Sequence, residues 1–338
     1  MSKKIMIVAE ISANHGKDID IVKQSIIKAG EIGCDAVKIQ TYTPDTITMK
    51  CSNEYFQIDT GTIWDGTTLY DLYNDAYLPW EWHNELYEFA SKNGIVLFST
   101  PFDFSAVDLL EECGNPIYKI ASFEINDIPL IEYAAEKQKP MIISTGIGTL
   151  LEIQEAVDAC NRAGNNDICL LKCTSQYPAR IEDANLDTMV DMKERFGCKI
   201  GLSDHTIGYD VAVAAAAMGA AVIEKHFILD RSIGGPDASF SMEPEEFRVM
   251  IEKVRLLESI RGEITYEIDE KKQKSRKYAR SLFVVRDVKR GELVSKENIR
   301  SIRPSDGLEP KYYETVLGSR FTRDVKAGTP LSLNMLIK

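Results

Sequence analysis

Eight short apolar runs rich in β-branched residues recur between longer amphipathic stretches: IMIVAEIS, AVKIQTY, IVLFSTPF, IYKIASFE, PMIISTG, ICLLKCTS, KIGLSDHT and AVIEKHFIL. The separators, among them DIVKQSIIKAGEIG and LLEIQEAVDACNRAG, carry the apolar spacing of one-sided helices. Strands that are apolar throughout are covered on both faces, and alternation with helices lays them side by side in a parallel sheet. Eight such units within about 250 residues make a closed (β/α)₈ TIM barrel the expected fold.

The ends of the runs sharpen that choice. They carry Glu10, Lys38 and Gln40, Ser99 and Thr100, Lys119 with Ser122 and Glu124, Ser144 and Thr145, Thr174 and Ser175, Ser203 with His205, and Glu224 with His226. One polar strand end is a turn or cap residue. Eight of them brought to one mouth line an active site, whereas an open doubly wound sheet would spread them along an edge.

The connection after the second run, residues 43–79, far exceeds the roughly 2 to 6 residues of an ordinary βα loop. It carries Tyr55, Phe56, Trp64, Tyr70 and Tyr73, and reads either as a binding lid or as a peripheral insertion packed by its own aromatics. After the helical stretch EPEEFRVMIEKVRLLESIRG the pattern changes. A charge-dense segment leads into RSLFVVRDVKRGELVSKENIRSIRP and SRFTRDVKAGTPLSLNML, which repeat a short strand followed by a DVKxG turn. The expected organisation is a barrel over 1–265, a linker over 266–280 and a small β-rich module over 281–338.

A formal charge of −12 argues against nucleic acid as a partner. No apolar run approaches the roughly 20 residues that span a bilayer, and the start shows no leader with a cleavage site. Seven cysteines, odd in number and without a CxxC pair, read as reduced thiols rather than zinc ligands. A cytoplasmic protein without a membrane partner is expected.

Candidate chemistry gathers at the strand ends. His205 and His226 close neighbouring runs, where two imidazoles either share a divalent ion with water and a substrate oxygen or are hydrogen-bonded core residues. Lys38 and Lys119 stand mid-run among apolar residues, where an inward lysine is stable only beside an anion. A phosphate and a carboxylate would satisfy both, and Thr100, Ser122, Ser144 and Ser203 add hydroxyl donors around the same mouth.

The segments AEISANH, VKIQTY, FSTPF, YKIASFE, ISTG, LKCTSQYP, GLSDHT, EKHF and GGPDASFSMEPEEF, in this order, resemble the sialic acid synthase family across essentially the whole chain. The C-terminal module resembles that family's antifreeze-like (SAF, β-clip) domain. Within the family, AEISANH, GPDASFS and the loop GTIWDGTTLYDLYNDAYLPWEWH are most similar to the pseudaminic branch. The resemblance implies that Lys38, Thr100, Lys119, Ser122, Ser144, Ser175 and Ser203 hold phosphoenolpyruvate. It implies that His205 and His226 ligate a divalent ion of the manganese type, with Mg²⁺ and Co²⁺ as alternatives, and that Glu10 contacts a metal-bound water. Catalysis would then rest on Glu10, Lys38, Lys119, His205 and His226. Gln40, Glu124, Tyr177 and Asp237 match sugar contacts, and Arg303 matches an arginine that the antifreeze-like domain delivers within a domain-swapped homodimer. Two positions depart from a simple transfer. Ser175 stands where many relatives have asparagine, and the family's loop contact falls near Trp64.

The implied reaction joins phosphoenolpyruvate to a diacetamido-trideoxy hexose, 2,4-diacetamido-2,4,6-trideoxy-L-altrose, with pseudaminic acid and phosphate as products. Legionaminic acid or N-acetylneuraminate synthesis is the neighbouring alternative. A non-enzymatic ice- or surface-binding protein is the alternative of another class.

Overall fold

Each apolar run forms a strand: β1 Met6–Glu10, β2 Ala36–Thr41, β3 Val96–Pro101, β4 Tyr118–Ile120, β5 Met141–Ser144, β6 Ile168–Cys173, β7 Lys199–Asp204 and β8 Val222–His226. Each pairs in parallel with the next and β8 closes on β1, which completes the expected barrel. This computed structural model describes residues 4–59, 61 and 63–338. Residues 1–3, where no leader was expected, and positions 60 and 62 of the aromatic loop lie outside the described residues.

Strand alternation sorts the side chains into layers. Val8, Ala36, Phe98, Ile142, Cys169, Leu171 and Val222 form an apolar plug inside the barrel. Two residues further along the same strands, on the same inward face, come Glu10, Lys38, Thr100, Ser144, Cys173 and Glu224, all buried. Gly201 makes room in the plug, since a Cβ there would lie 2.4 Å from the Val222 carbonyl oxygen and 2.6 Å from Leu171. The outward residues, Ile7, Val37, Ile39 and Ile223 among them, join the larger core beneath the helices with Ile26, Leu86 and Val211.

Local chemistry ends the elements. Thr149 and Glu152 form a reciprocal cap that opens the helix Leu150–Arg162. The run IYKIASFE is a strand only through Ile120; Ser122–Glu124 is a 3₁₀ turn, after which Asp127 caps the next helix, Ile128–Ala135. In the long connection, Thr68 caps a helix over Leu69–Ala76. Among the described residues no helix is long and apolar enough to cross a membrane.

The chain divides into two compact units, Met1–Glu263 and Ile264–Lys338. The stretch read as a linker contains a helix, Glu270–Arg276, started by Asp269 and carrying Lys274 and Arg276 in its last turn, where cations favour the helix dipole. In the second unit β9 Ser281–Val284 pairs antiparallel with β10 Ile299–Ile302, and β11 Arg320–Phe321 with β12 Leu336–Ile337. The DVKxG repeat is reciprocal: Asp287 accepts from the Ala327 amide and Asp324 from the Arg290 amide, each at 2.9 Å. Val288 and Val325 pair between them and sit in a separate core with Leu282, Phe321 and Leu331.

Candidate active site

The layer above the plug is a buried, self-neutralising quartet. The Lys38 ammonium lies 2.6 Å from Glu10 and 3.7 Å from Glu224, and Lys119 lies 4.0 Å from Glu224. Thr100 accepts from Lys38 at 3.2 Å, Ser144 from Lys119 at 2.7 Å, and Ser203 donates to Glu224 at 3.0 Å. The two lysines are not equivalent. Burial pushes the Lys38 ammonium down, but Glu10 and Glu224 outweigh it and hold its pKa above the ordinary value. Lys119 is held below its ordinary value, because burial outweighs its more distant carboxylate. Burial also raises the Glu10 carboxyl over the opposing pull of Lys38, whereas both lysines outweigh burial at Glu224 and keep it low.

Beside this quartet the hydroxyls of Ser122 and Ser175 lie 2.6 Å apart, from the turn after β4 and the loop after β6. Gly146 closes against them: a Cβ there would come 2.1 Å from the Ser175 oxygen and 3.2 Å from that of Ser122. Glycine in the ISTG segment is therefore a packing requirement of the hydroxyl pair.

His205, just past β7, and His226, at the end of β8, place their rings 5.3 Å apart. His205 Nδ1 donates to the Thr174 carbonyl at 2.9 Å, so in the neutral ring Nε2 carries the lone pair. Burial pushes the His205 pKa down, but Cys173 outweighs it and holds it above the ordinary value. His226 is held well below its ordinary pKa, by burial and then by His205, and its buried Nδ1 has no hydrogen-bond partner among the described residues. Two neighbouring imidazoles with uncommitted nitrogens fit a divalent ion. Among the described residues no group of three or more His, Cys, Asp or Glu could hold one, so water and substrate oxygens would complete its shell.

Above the histidines opens a cavity of 410 Å³ with two unlike walls. The polar wall holds Ser12, Gln40, Glu124, Tyr177, His226 and Asp237. Gln40 donates to Glu10 at 3.1 Å and to Ser12 at 3.0 Å, and the Tyr177 ring packs on His205 at 4.3 Å, tilted by 45°. Burial pushes the Glu124 carboxyl up to about 7 against the pull of Lys119, and its Oε2 has no hydrogen-bond partner among the described residues. Ile47, Ile58, Leu69, Leu72, Tyr73 and Phe102 make the apolar wall, mostly from the long loop. Trp64 lies between the walls, its ring 5.5 Å from Tyr177 and its Nε1 donating to the Pro236 carbonyl at 3.3 Å. The loop is thus a pocket wall rather than a peripheral insertion. His15 of AEISANH latches its end, donating from Nε2 to the Ala76 carbonyl at 3.1 Å.

Every residue of the first unit expected to hold substrate or metal therefore lies at the mouth, whereas the strand-end Ser99 and Thr145 turn away from it, their hydroxyls donating to the carbonyls of Ile39 and Leu171. Arg303 belongs to the second unit, exposed in a groove with Lys271, Lys272, Ser275 and Arg276. Sequence reasoning left out Glu224 as a site residue, although it bridges both lysines. Its signal was the inward period of β8, where Val222, Glu224 and His226 share a face. Cys173, 3.8 Å from His205, was read only as a buried thiol.

Residues 25–266 match the NeuB family, and residues 279–337 match the SAF domain. A pseudaminic acid synthase of Helicobacter pylori is 49% identical over 327 residues, which covers 96% of each chain. An N,N'-diacetyllegionaminic acid synthase of Campylobacter jejuni is 37% identical over 328 residues, covering 96% of this chain and 98% of that one. Among solved structures, an N-acetylneuraminic acid synthetase from Leptospira borgpetersenii, in complex with citrate, has a TM-score of 0.72 at 30% identity and covers 80% of this chain and 90% of that one.

Proposed function

The chain belongs to the NeuB family and carries a SAF domain, and from that premise we propose that it condenses phosphoenolpyruvate with 2,4-diacetamido-2,4,6-trideoxy-L-altrose and water to give pseudaminic acid and phosphate. The choice of sugar rests on 49% identity to a pseudaminic acid synthase against 37% to a legionaminic one. The apolar cavity wall supports it, because a 6-deoxy sugar with two acetamido groups has methyl groups to bury. The test is incubation of the purified protein with both substrates and mass analysis of the product. A nine-carbon 2-keto acid formed with one equivalent of phosphate is expected; no phosphate release with this sugar would overturn the reading.

In this reading Lys38, Lys119 and the hydroxyls of Thr100, Ser122, Ser144, Ser175 and Ser203 hold phosphoenolpyruvate. Lys119, the less compensated lysine, gains most from an incoming anion. These donors are fixed before the substrate arrives, so little reorganisation accompanies the build-up of charge. Gln40, Glu124, Tyr177 and Asp237 orient the open-chain sugar so that its aldehyde carbon meets C3 of phosphoenolpyruvate. A C–C bond forms there at the expense of the C2=C3 and aldehyde C=O π bonds, and C2 becomes electron-poor. The aldehyde oxygen takes a proton from solvent to become a hydroxyl, balanced by the proton that the water added at C2 gives up. Water adds at C2 and yields a proton to Glu10, whose raised pKa suits it to accept one. The C2–O bond to phosphate then breaks, the new C2 hydroxyl loses its proton, and the 2-keto group remains.

His205 and His226 would hold the divalent ion, Mn²⁺ in our reading. When bound, such an ion supplies Lewis-acid polarisation of a carbonyl and lowers the pKa of water. We further assign to Arg303 a sugar contact made in trans, within a homodimer that exchanges its SAF domains in the cytoplasm. A buried ionic layer at the barrel mouth has no use in ice or surface binding, and that reading has no support.

A further inference from the structure

Asp204 and Lys225 each immediately precede one of the two histidines, and they pair directly across β7 and β8. Alternation turns them to the outer side of the barrel wall when Ser203, His205, Glu224 and His226 face inward. There they form a nearly inaccessible ion pair of 2.7 Å, with side-chain exposures of 2% and 1%. The pair is not isolated. Asp204 Oδ1 accepts from the amide and the hydroxyl of Thr206 at 2.9 and 2.8 Å, and Lys225 also donates to the Thr206 carbonyl at 2.6 Å. His205 therefore sits between two residues bound into one clamp. Its own carbonyl accepts from the Ala179 amide at 3.0 Å, which fixes the strand end from the other side.

An ion pair so deeply buried recovers little or no net stability from its own attraction, because desolvation of both charges opposes it. Its geometric effect is more specific. It fixes the register and spacing of two adjacent strand ends, and those ends carry the two imidazoles. We propose that Asp204 and Lys225 are positioning residues that set the separation and direction of His205 and His226, and through them the affinity of the site for a divalent cation. This rests on the reading of the two histidines as metal ligands.

The test uses the full chain and Mn²⁺ alone, read by loss of the free-ion electron paramagnetic resonance signal. Asp204→Leu/Lys225→Met removes both charges together, so neither is left buried and unpaired. We expect a folded protein whose Mn²⁺ dissociation constant rises by about 10- to 100-fold, the range for outer-shell changes at metal sites. Phosphoenolpyruvate affinity measured without metal should stay within about threefold, since its lysines lie in the inward layer. Activity should recover as Mn²⁺ is raised, which a general packing defect would not allow. An unchanged Mn²⁺ affinity in the folded double variant overturns the clamp and leaves the ligand assignment standing. Wild-type protein that binds no Mn²⁺, Mg²⁺ or Co²⁺ overturns the ligand assignment itself. Should the double variant not fold, Lys225→Arg keeps the charge but changes the reach, and an affinity within about twofold of wild type overturns the proposal.

Discussion

The ionic floor of the barrel mouth and the aromatic wall above it are built in opposite ways. Much of the floor comes from strands, each residue two positions beyond an apolar plug residue, and its charges balance one another before a substrate arrives. The wall comes largely from one long loop, and His15 to Ala76 and Trp64 to Pro236 are hydrogen bonds that tie it to its surroundings. Barrel periodicity dictates the first arrangement and leaves the second open. In the proposed reading, common chemistry rests on the strand-built part and the choice of sugar on the loop, whose Tyr73 and Trp64 rings pack on Tyr42 and Tyr177 outside it.

The largest expected effect separates the two regions outright. Lys119→Met should lower kcat/KM for phosphoenolpyruvate by about 10²- to 10³-fold, the scale of losing a preorganised charge-stabilising donor. Steady-state phosphate release measures it, and a loss under about tenfold would mean that the floor is not where the anion binds. The next test asks whether the wall side is completed by another chain. Arg303→Ala and His226→Ala should each be nearly inactive, yet co-expressed chains should regain activity. In mixed dimers with exchanged modules, the barrel that keeps His226 receives an intact Arg303. Activity no higher than that of the separate variants would place Arg303 at its own barrel.

The floor was the legible region. Lys38 and Lys119 announced themselves as cations in apolar runs, and the histidines as neighbours at strand ends. Glu224 stands in the same run as His226, and the period of two puts its carboxylate on the same face, but a single carboxylate at a strand end does not by itself announce that it meets both lysines. The wall was legible only as an unusually long aromatic connection. That Leu69 and Leu72 line the cavity follows from the helix Leu69–Ala76, which Thr68 starts and which a count of aromatics does not reveal. The linker helix escaped for a related reason: its capping residue, Asp269, lies among so many charges that it carries no contrast.

A smaller effect sharpens the role of the wall. Trp64→Ala should weaken the 6-deoxy sugar by roughly 1 to 3 kcal/mol in kcat/KM, the scale of one lost apolar contact, and a 6-hydroxylated analogue by less. Equal losses for both sugars would show that Trp64 does not read that edge.

The last effect is on stability rather than on catalysis and lies at the border of the two regions, in Glu124. Its carboxyl is pushed up to about 7 by burial, from 4.5 in the unfolded chain. Between those values the unfolded chain has lost the proton that the folded chain still keeps, so rising pH favours unfolding through this group. Below 4.5 the penalty is absent and above about 7 it is complete. Glu124→Gln lacks it, so the stability of that variant relative to wild type should rise with pH across this window and then level off. Urea unfolding at several pH values measures the difference, and a constant difference would contradict the burial of that carboxyl.

The most direct measurement of the central claim is a competition. Limiting phosphoenolpyruvate is mixed with equal amounts of 2,4-diacetamido-2,4,6-trideoxy-L-altrose, the corresponding legionaminic precursor and N-acetylmannosamine, and the nine-carbon acids are separated by mass and retention. Pseudaminic acid as the dominant product is expected; dominance of legionaminic or N-acetylneuraminic acid would contradict the assignment.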